Sequence, residues 1–107
     1  MATPALGSSY EIIKPMTDDL TITDASTNLV VGTSGLSGGK TLTLPTIAAM
    51  VANQNPFIKV VNASGSGGTI TIAKNSADST IIGQITCTTS TGVTFTHDGI
   101  HQWYGGV

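Results

Sequence analysis

Threonine alternates with apolar residues in several short segments, and this period of two constrains the fold more than any other feature of the chain. The alternation covers residues 20–23, 40–44, 69–72 and 93–96. Because successive side chains of a β-strand point to opposite faces of its sheet, each segment would place apolar groups on one face and hydroxyl groups on the other. The sequence therefore predicts half-buried strands.

The clearest strand pair is expected at residues 93–104, V-T-F-T-H-D-G-I-H-Q-W-Y. Asp98 and Gly99 favour a two-residue type I′ turn, which joins the strands of a β-hairpin. The segment holds the only tryptophan of a chain in which 5% of residues are aromatic, so this ring is the largest apolar group available to a core. Three residues are predicted to anchor the core or an interface between subunits: Phe95, Trp103 and Tyr104.

Two further segments have recognisable local structure. The alanine-bearing residues 46–53 predict a short helix, with Thr46 as its N-cap and Asn53 at its end. Residues 20–22 and 29–31 are separated by polar turn residues and predict a first β-hairpin.

The strand pattern as a whole indicates an all-β domain over residues 20–107. Short strands separated by turn signals predict an antiparallel β-sandwich or a jelly-roll-like barrel with one short helix, and no repeat of fixed period is evident. Residues 1–19 contain Pro4 and Pro15 and predict an extended N-terminal arm, which is either a frayed terminus or a strap that orders on a partner. The candidate partner-binding residues of this arm are Tyr10, Ile12 and Ile13.

Charged residues make up 9% of the chain, compared with roughly a quarter in a typical soluble domain. The net charge is −2 and arginine is absent, which argues against nucleic acid as a partner. The apolar runs are shorter than a membrane-spanning helix requires, and the N-terminus lacks the pattern of a signal peptide. Few charges and many β-branched residues give strand edges little protection from pairing, which favours an oligomer.

Residues 34–41, S-G-L-S-G-G-K-T, nearly match the phosphate-binding pattern G-x-x-x-x-G-K-[ST]. Ser34 replaces the first glycine, however, and Lys40 and Thr41 open a period-2 strand where a phosphate loop would open a helix. We interpret the segment as a loop between strands.

His97, Asp98 and His101 place two imidazoles and a carboxylate within five positions. They are either polar turn residues or ligands of a metal completed by symmetry copies. Cys87 is the only cysteine and is expected to be a buried apolar residue. Because no serine, threonine or cysteine has a recognisable base partner, we expect no catalysis, no cofactor and no small-molecule substrate.

Residues 40–104 run T-L-T-L-P, an alanine-bearing segment, F-I-K-V-V-N, a glycine-serine loop, T-I-T-I-A, T-I-I-G and then the predicted hairpin. This order resembles a β module of tailed-bacteriophage virion proteins, among them capsid decoration (cement) proteins and fibre or spike segments. The resemblance implies a structural virion protein that assembles as a homotrimer.

Within that class, the chain begins at a methionine and ends three residues after Trp-Tyr, which favours a short decoration protein over a fibre module. Such trimers would be made in the host cytoplasm, bind the major capsid protein on the outer capsid surface of the virion, and use residues 1–19 as a docking strap. Binding only to the assembled shell would stabilise it by mass action. The alternatives are a fibre or spike module and a receptor- or glycan-binding module with Trp103 and Tyr104 as its exposed platform.

Overall fold

Ten strands and one helix follow one another in residues 12–33, 38–63 and 68–106, the parts of the chain that the computed structural model describes. The predictions of a mostly β chain and of a single short helix are confirmed for these ranges. The elements, in chain order, are β1 (Ile12–Met16), β2 (Leu20–Thr21), β3 (Thr27–Gly32), β4 (Lys40–Thr43), α1 (Ile47–Ala52), β5 (Phe57–Asn62), β6 (Ile70–Ala73), β7 (Ile82–Gly83), β8 (Thr86–Cys87), β9 (Thr91–His97) and β10 (Trp103–Gly106).

The described strands form a six-stranded sheet in the order β1-β3-β5-β9-β10-β7 and a four-stranded sheet in the order β2-β4-β6-β8. Pairing is parallel along β1-β3-β5, along β2-β4-β6 and between β10 and β7. The remaining pairs are antiparallel. Both sheets are therefore mixed, and the prediction of an antiparallel arrangement is wrong, because alternating side chains report which face is buried and not the direction of the neighbouring strand.

From β1 to β6 the chain alternates between the two sheets, so each strand lies beside the strand two elements earlier. The predicted first hairpin is wrong for this reason, since β2 and β3 belong to different sheets. Val30 pairs with Val60, and Lys40 pairs with Ile70, an offset of 30 residues in both sheets. The same offset is visible in the sequence, because V-V-x-x-S-G begins at Val30 and again at Val60. The absence of a fixed-period repeat was thus a wrong prediction: two stacked layers share a 30-residue period.

Part of the segment predicted as an arm lies in a sheet, because β1 pairs with β3 along its five residues. Ile12 is in register with Thr27, and Ile13 with Leu29. Tyr10 lies outside the described residues. The partner-binding role of these three residues and the domain boundary at residue 20 stay predictions.

Pro15 protects the free edge that β1 gives to the six-stranded sheet. The carbonyl oxygen of Met16 accepts a hydrogen bond from the N–H of Thr33 at 3.1 Å and so faces β3. Because backbone groups alternate in direction along a strand, the backbone of Pro15 faces away from β3. A proline in this position has no N–H to offer to a further strand.

A single buried cluster joins the two sheets and the helix. Its side chains come from alternate positions of the strands, as the threonine alternation predicts. The six-stranded sheet contributes Val30, Ile58, Val60, Val93, Phe95 and Trp103, the four-stranded sheet contributes Leu42, Ile70, Ile72 and Cys87, and the helix contributes Ile47 and Met50.

The predicted helix is confirmed with both of its ends. Thr46 is the N-cap and its Oγ1 accepts a hydrogen bond from the N–H of Ala49 at 3.2 Å, while Asn53 is the C-cap. The buried Asp78, from the loop after β6, accepts the N–H of Ile47 at 3.0 Å through Oδ2. This bond fixes the helix against the four-stranded sheet.

Candidate functional site

The strands β9 and β10 form the predicted hairpin, with Trp103 opposite His97. The predicted two-residue turn is wrong, because residues 98–102 separate the two strands. The side chain of Asp98 explains the longer loop. Its Oδ1 accepts hydrogen bonds from three successive backbone N–H groups, those of Ile100 at 2.8 Å, His101 at 2.9 Å and Gln102 at 3.0 Å. A two-residue turn does not present three such donors to one carboxylate.

The three donors also change the acidity of the loop carboxyl group. The N–H of Gln102 is the largest cause, followed by the N–H of Ile100, and together with His101 they lower the pKa of Asp98 from its ordinary 3.8 to about 2. Hydrogen bonds to the ionised form favour that form. The loop is therefore tied together by a carboxylate that keeps its charge in mild acid.

We expect Asp98→Asn to lose part of the acid dependence of stability that the natural protein shows. Folding lowers the pKa of Asp98 to about 2, so the carboxylate stabilises the folded state above about pH 4, and this contribution is lost as the pH falls towards 2. Asparagine keeps an oxygen acceptor without the charge. Melting temperatures measured by calorimetry between about pH 5 and pH 2 should fall more steeply for the natural protein; parallel curves would contradict the assignment.

The two histidines of the loop region make separate contacts. His97 has both ring nitrogens engaged: Nδ1 accepts the N–H of Gly99 at 3.0 Å, and Nε2 lies 2.9 Å from the carbonyl oxygen of Asn55 and donates to it. Nδ1 of His101 lies 3.5 Å from Oδ2 of Asp98. Among the described residues, no group of three or more His, Cys, Asp or Glu side chains could hold a metal ion. The contacts of His97 leave it no free lone pair for a metal.

The three predicted anchors divide between two faces of the six-stranded sheet. Phe95 and Trp103 are 0% exposed and lie in the core, whereas Tyr104 is 42% exposed on the opposite face of β10. The rings of Trp103 and His97 meet edge to face, with centroids 5.3 Å apart. A glycan platform built from Trp103 and Tyr104 would need both rings at the surface, and the ring of Trp103 is enclosed.

The phosphate-loop pattern leads into a strand. Residues 34–37 lie outside the described residues, and Lys40 begins β4 as expected from the alternation. Nζ of Lys40 lies 3.2 Å from Oδ1 of Asp18. Cys87 is a free thiol that is 0% exposed, so the expectation of a buried apolar residue is confirmed.

The outer surface of the four-stranded sheet is lined by hydroxyl groups. Thr41, Thr71 and Thr86 lie side by side on β4, β6 and β8. Thr21 and Thr43 form a second pair in the same sheet. We call this surface the threonine face. Threonine hydroxyls bond well to water, so the threonine face is suited to contact solvent.

The outer surface of the six-stranded sheet is apolar. Phe57, Thr96, Tyr104 and Ile82 form a row across β5, β9, β10 and β7. The exposed fractions are 39% for Phe57, 42% for Tyr104 and 56% for Ile82. Beside this row lie half-buried aliphatic residues of β3 and β5. We call the following residues the apolar face: Leu29, Val31, Phe57, Val61, Ile82 and Tyr104.

Sequence reasoning found one member of the apolar face, Tyr104, and missed the others. The available signal was the pair of runs L-V-V at residues 29–31 and F-I-K-V-V at residues 57–61, in which no threonine interrupts the apolar residues. Such runs are typical of strands that are covered on both faces. Ile82 had no comparable signal, because it joins the apolar face only through the pairing of β7 with β10.

An open groove of about 100 Å³ lies beside β6, lined by Ile72, Lys74, Thr80, Ile81 and Ile85. It is smaller than the roughly 300 to 1,000 Å³ of sites for drug-sized ligands. Its size suits a side chain of a partner better than a substrate.

Comparison with known proteins gives no relative: no protein-family model, no curated protein and no solved structure matches this chain. Within the described residues, no helix has the length and apolar character needed to span a membrane.

Proposed function

We propose that this chain is a structural virion protein that decorates the outside of a phage head as a homotrimer bound to the major capsid protein. The difference between its two outer surfaces carries the proposal. The threonine face suits contact with water, whereas the apolar face exposes Phe57, Tyr104 and Ile82 in one row. A contiguous apolar surface of this kind is typical of a protein that works in an assembly.

We also infer a finer architecture, in which the two sheets pack as a β-sandwich. The single buried cluster between the sheets supports this arrangement. The parallel stacking of β1-β3-β5 and of β2-β4-β6 favours it over a jelly roll, whose strands are antiparallel.

Decoration requires binding without chemistry. A protein that binds the assembled shell and not its separated subunits stabilises the shell by mass action, by about 2.7 kcal/mol per site at a free concentration one hundred times Kd. Three linked copies would add avidity. Because β1 is part of a sheet, the strap proposed to dock on the capsid is confined to the residues that precede β1, with Tyr10 as its aromatic anchor.

The proposal is tested by mixing the purified protein with undecorated heads of the phage that encodes it and pelleting the heads. We expect saturable co-sedimentation and a higher temperature of head disruption, because binding favours the intact shell. Heads that already carry their decoration protein are the matched control and should bind none. Protein that stays in the supernatant but attaches to host cells or to a glycan array would contradict decoration and support the receptor-binding alternative.

A fibre or spike module is the second candidate, and the 30-residue layers favour it. Stacked layers of this type build elongated molecules, because each layer contacts only its neighbours. Gold-labelled antibody against the protein separates the two candidates in electron micrographs of the intact phage. Label over the head supports decoration, and label confined to the tail supports the fibre or spike.

A further inference from the structure

We propose that the apolar face is the surface through which copies of this chain associate with one another, which leaves the capsid to be bound by another part of the molecule. This inference deepens the proposed function and rests on it for the assignment of the shell as second partner. It is carried by the area, the charge and the edges of the six-stranded sheet.

The area of the apolar face is sufficient for a specific contact. Six strands spaced by about 4.8 Å and about six residues long give a surface of roughly 24 by 20 Å, or roughly 500 Å² for each copy. Two copies would then bury roughly 1,000 Å², which reaches the lower bound for specific protein interfaces. The exposed row also contains Phe57 and Tyr104, and aromatic residues are enriched at the centres of such contacts.

The charge of this surface selects a second copy as its partner. Lys59 is the only charged residue at the outward positions of the described strands of this sheet. A charged partner would lose its hydration with little to pair against, whereas another copy presents the same uncharged residues. The stem of Lys59 lies along the sheet, since a Cβ at Gly92 would be 3.7 Å from its Cε. The stem thereby extends the apolar surface.

The edges of the sheet favour association by faces. At one edge, Pro15 withholds the backbone N–H that a further strand would need. At the other edge, β7 is only two residues long. Very short edge strands and edge prolines both discourage pairing with another chain. Copies are therefore expected to pack with their apolar faces together, not to extend one continuous sheet.

The test is the mass of the protein in solution, measured by light scattering after size-exclusion chromatography over a range of concentrations. We expect the natural protein to be a multiple of the 10.8 kDa protomer. Tyr104→Lys and Ile82→Lys place a charge in the apolar row and should each weaken association at least about tenfold. Thr71→Lys places the same charge on the exposed threonine face and should leave the mass unchanged. Circular dichroism checks that each variant is folded.

The outcomes separate this inference from the proposed function. A natural protein that is monomeric at all concentrations, or a Tyr104→Lys variant that associates as strongly as Thr71→Lys, would overturn the inference. A twofold mass lost in Tyr104→Lys supports the inference and contradicts the homotrimer. Association that depends on Tyr104, in a protein that fails to pellet with heads, supports the inference and contradicts decoration.

Discussion

Trp103→Ala is expected to lower the free energy of unfolding by about 3 to 5 kcal/mol, as is usual when a large buried aromatic side chain is truncated. Trp103 heads the largest fully buried side chains among the described residues and is 0% exposed. Its ring meets that of His97, which the carbonyl oxygen of Asn55 holds in place. The substitution would leave a cavity between β10 and the rest of the core. Because small domains are typically stable by about 5 to 15 kcal/mol, the variant would be close to unfolding.

The neighbouring residue on the same strand provides the control. Tyr104 is 42% exposed and points to the opposite face of β10, so Tyr104→Ala should change the stability by less than about 1 kcal/mol. Urea unfolding curves of both variants should be compared at one protein concentration, since association shifts the apparent stability. Equal midpoints for Trp103→Ala and the natural protein would show that the tryptophan is not central to the core.

Gly105→Ala is expected to have the second large effect, for the opposite reason. A Cβ at this position would overlap the backbone carbonyl oxygen of Gln84 and lie 2.9 Å from Cε1 of Phe95. The N–H of Gln84 donates to the carbonyl oxygen of Gly105 at 3.0 Å, which holds the two backbones together. Relief of the overlap would therefore require the segment after β7 to move away from β10. Overpacking of this kind costs typically about 1 to 3 kcal/mol, and because the obstacle is backbone we expect the upper end of that range.

Gly106 is the matched control for this steric effect. It follows Gly105 on β10, and a Cβ there would meet no atom within 4 Å. Gly106→Ala should therefore melt at nearly the same temperature as the natural protein, whereas Gly105→Ala should melt several degrees lower, by calorimetry. Equal melting temperatures for the two variants would contradict the close approach of Gln84 to β10.

The elements of the fold were predictable because their signals are local. Alternating threonine identifies the core positions of β4, β6 and β9, and Thr46 with Asn53 delimits the helix. Strand direction and partner were not predictable, since they depend on the chain crossing between sheets after each strand. The turn after His97 shows a local preference overridden by a side chain: the Asp98-Gly99 pair favours a tight turn, but the Asp98 carboxylate gains three N–H donors in a longer loop.

The candidate site was predictable only at its anchors. The sequence pointed to Trp103 and Tyr104 together, and the alternation of side chains along β10 then assigns one to the core and the other to the apolar face. Phe57 and Ile82 are far apart in the chain and come into one row through Tyr104 and its neighbour on β9. A surface assembled by strand order cannot be read before that order is known.

The common offset of the two sheets gives the molecule a means of changing its height. Because β5 and β6 repeat the placement of β3 and β4 at 30 residues, an internal duplication of one such unit would add a strand to each sheet and raise the stack by about 4.8 Å. The antiparallel strands β8, β9 and β10 would still close the same end. Each added unit would also bring another L-V-V or F-I-K-V-V run to the outside, so a taller protomer would carry a proportionally wider adhesive surface.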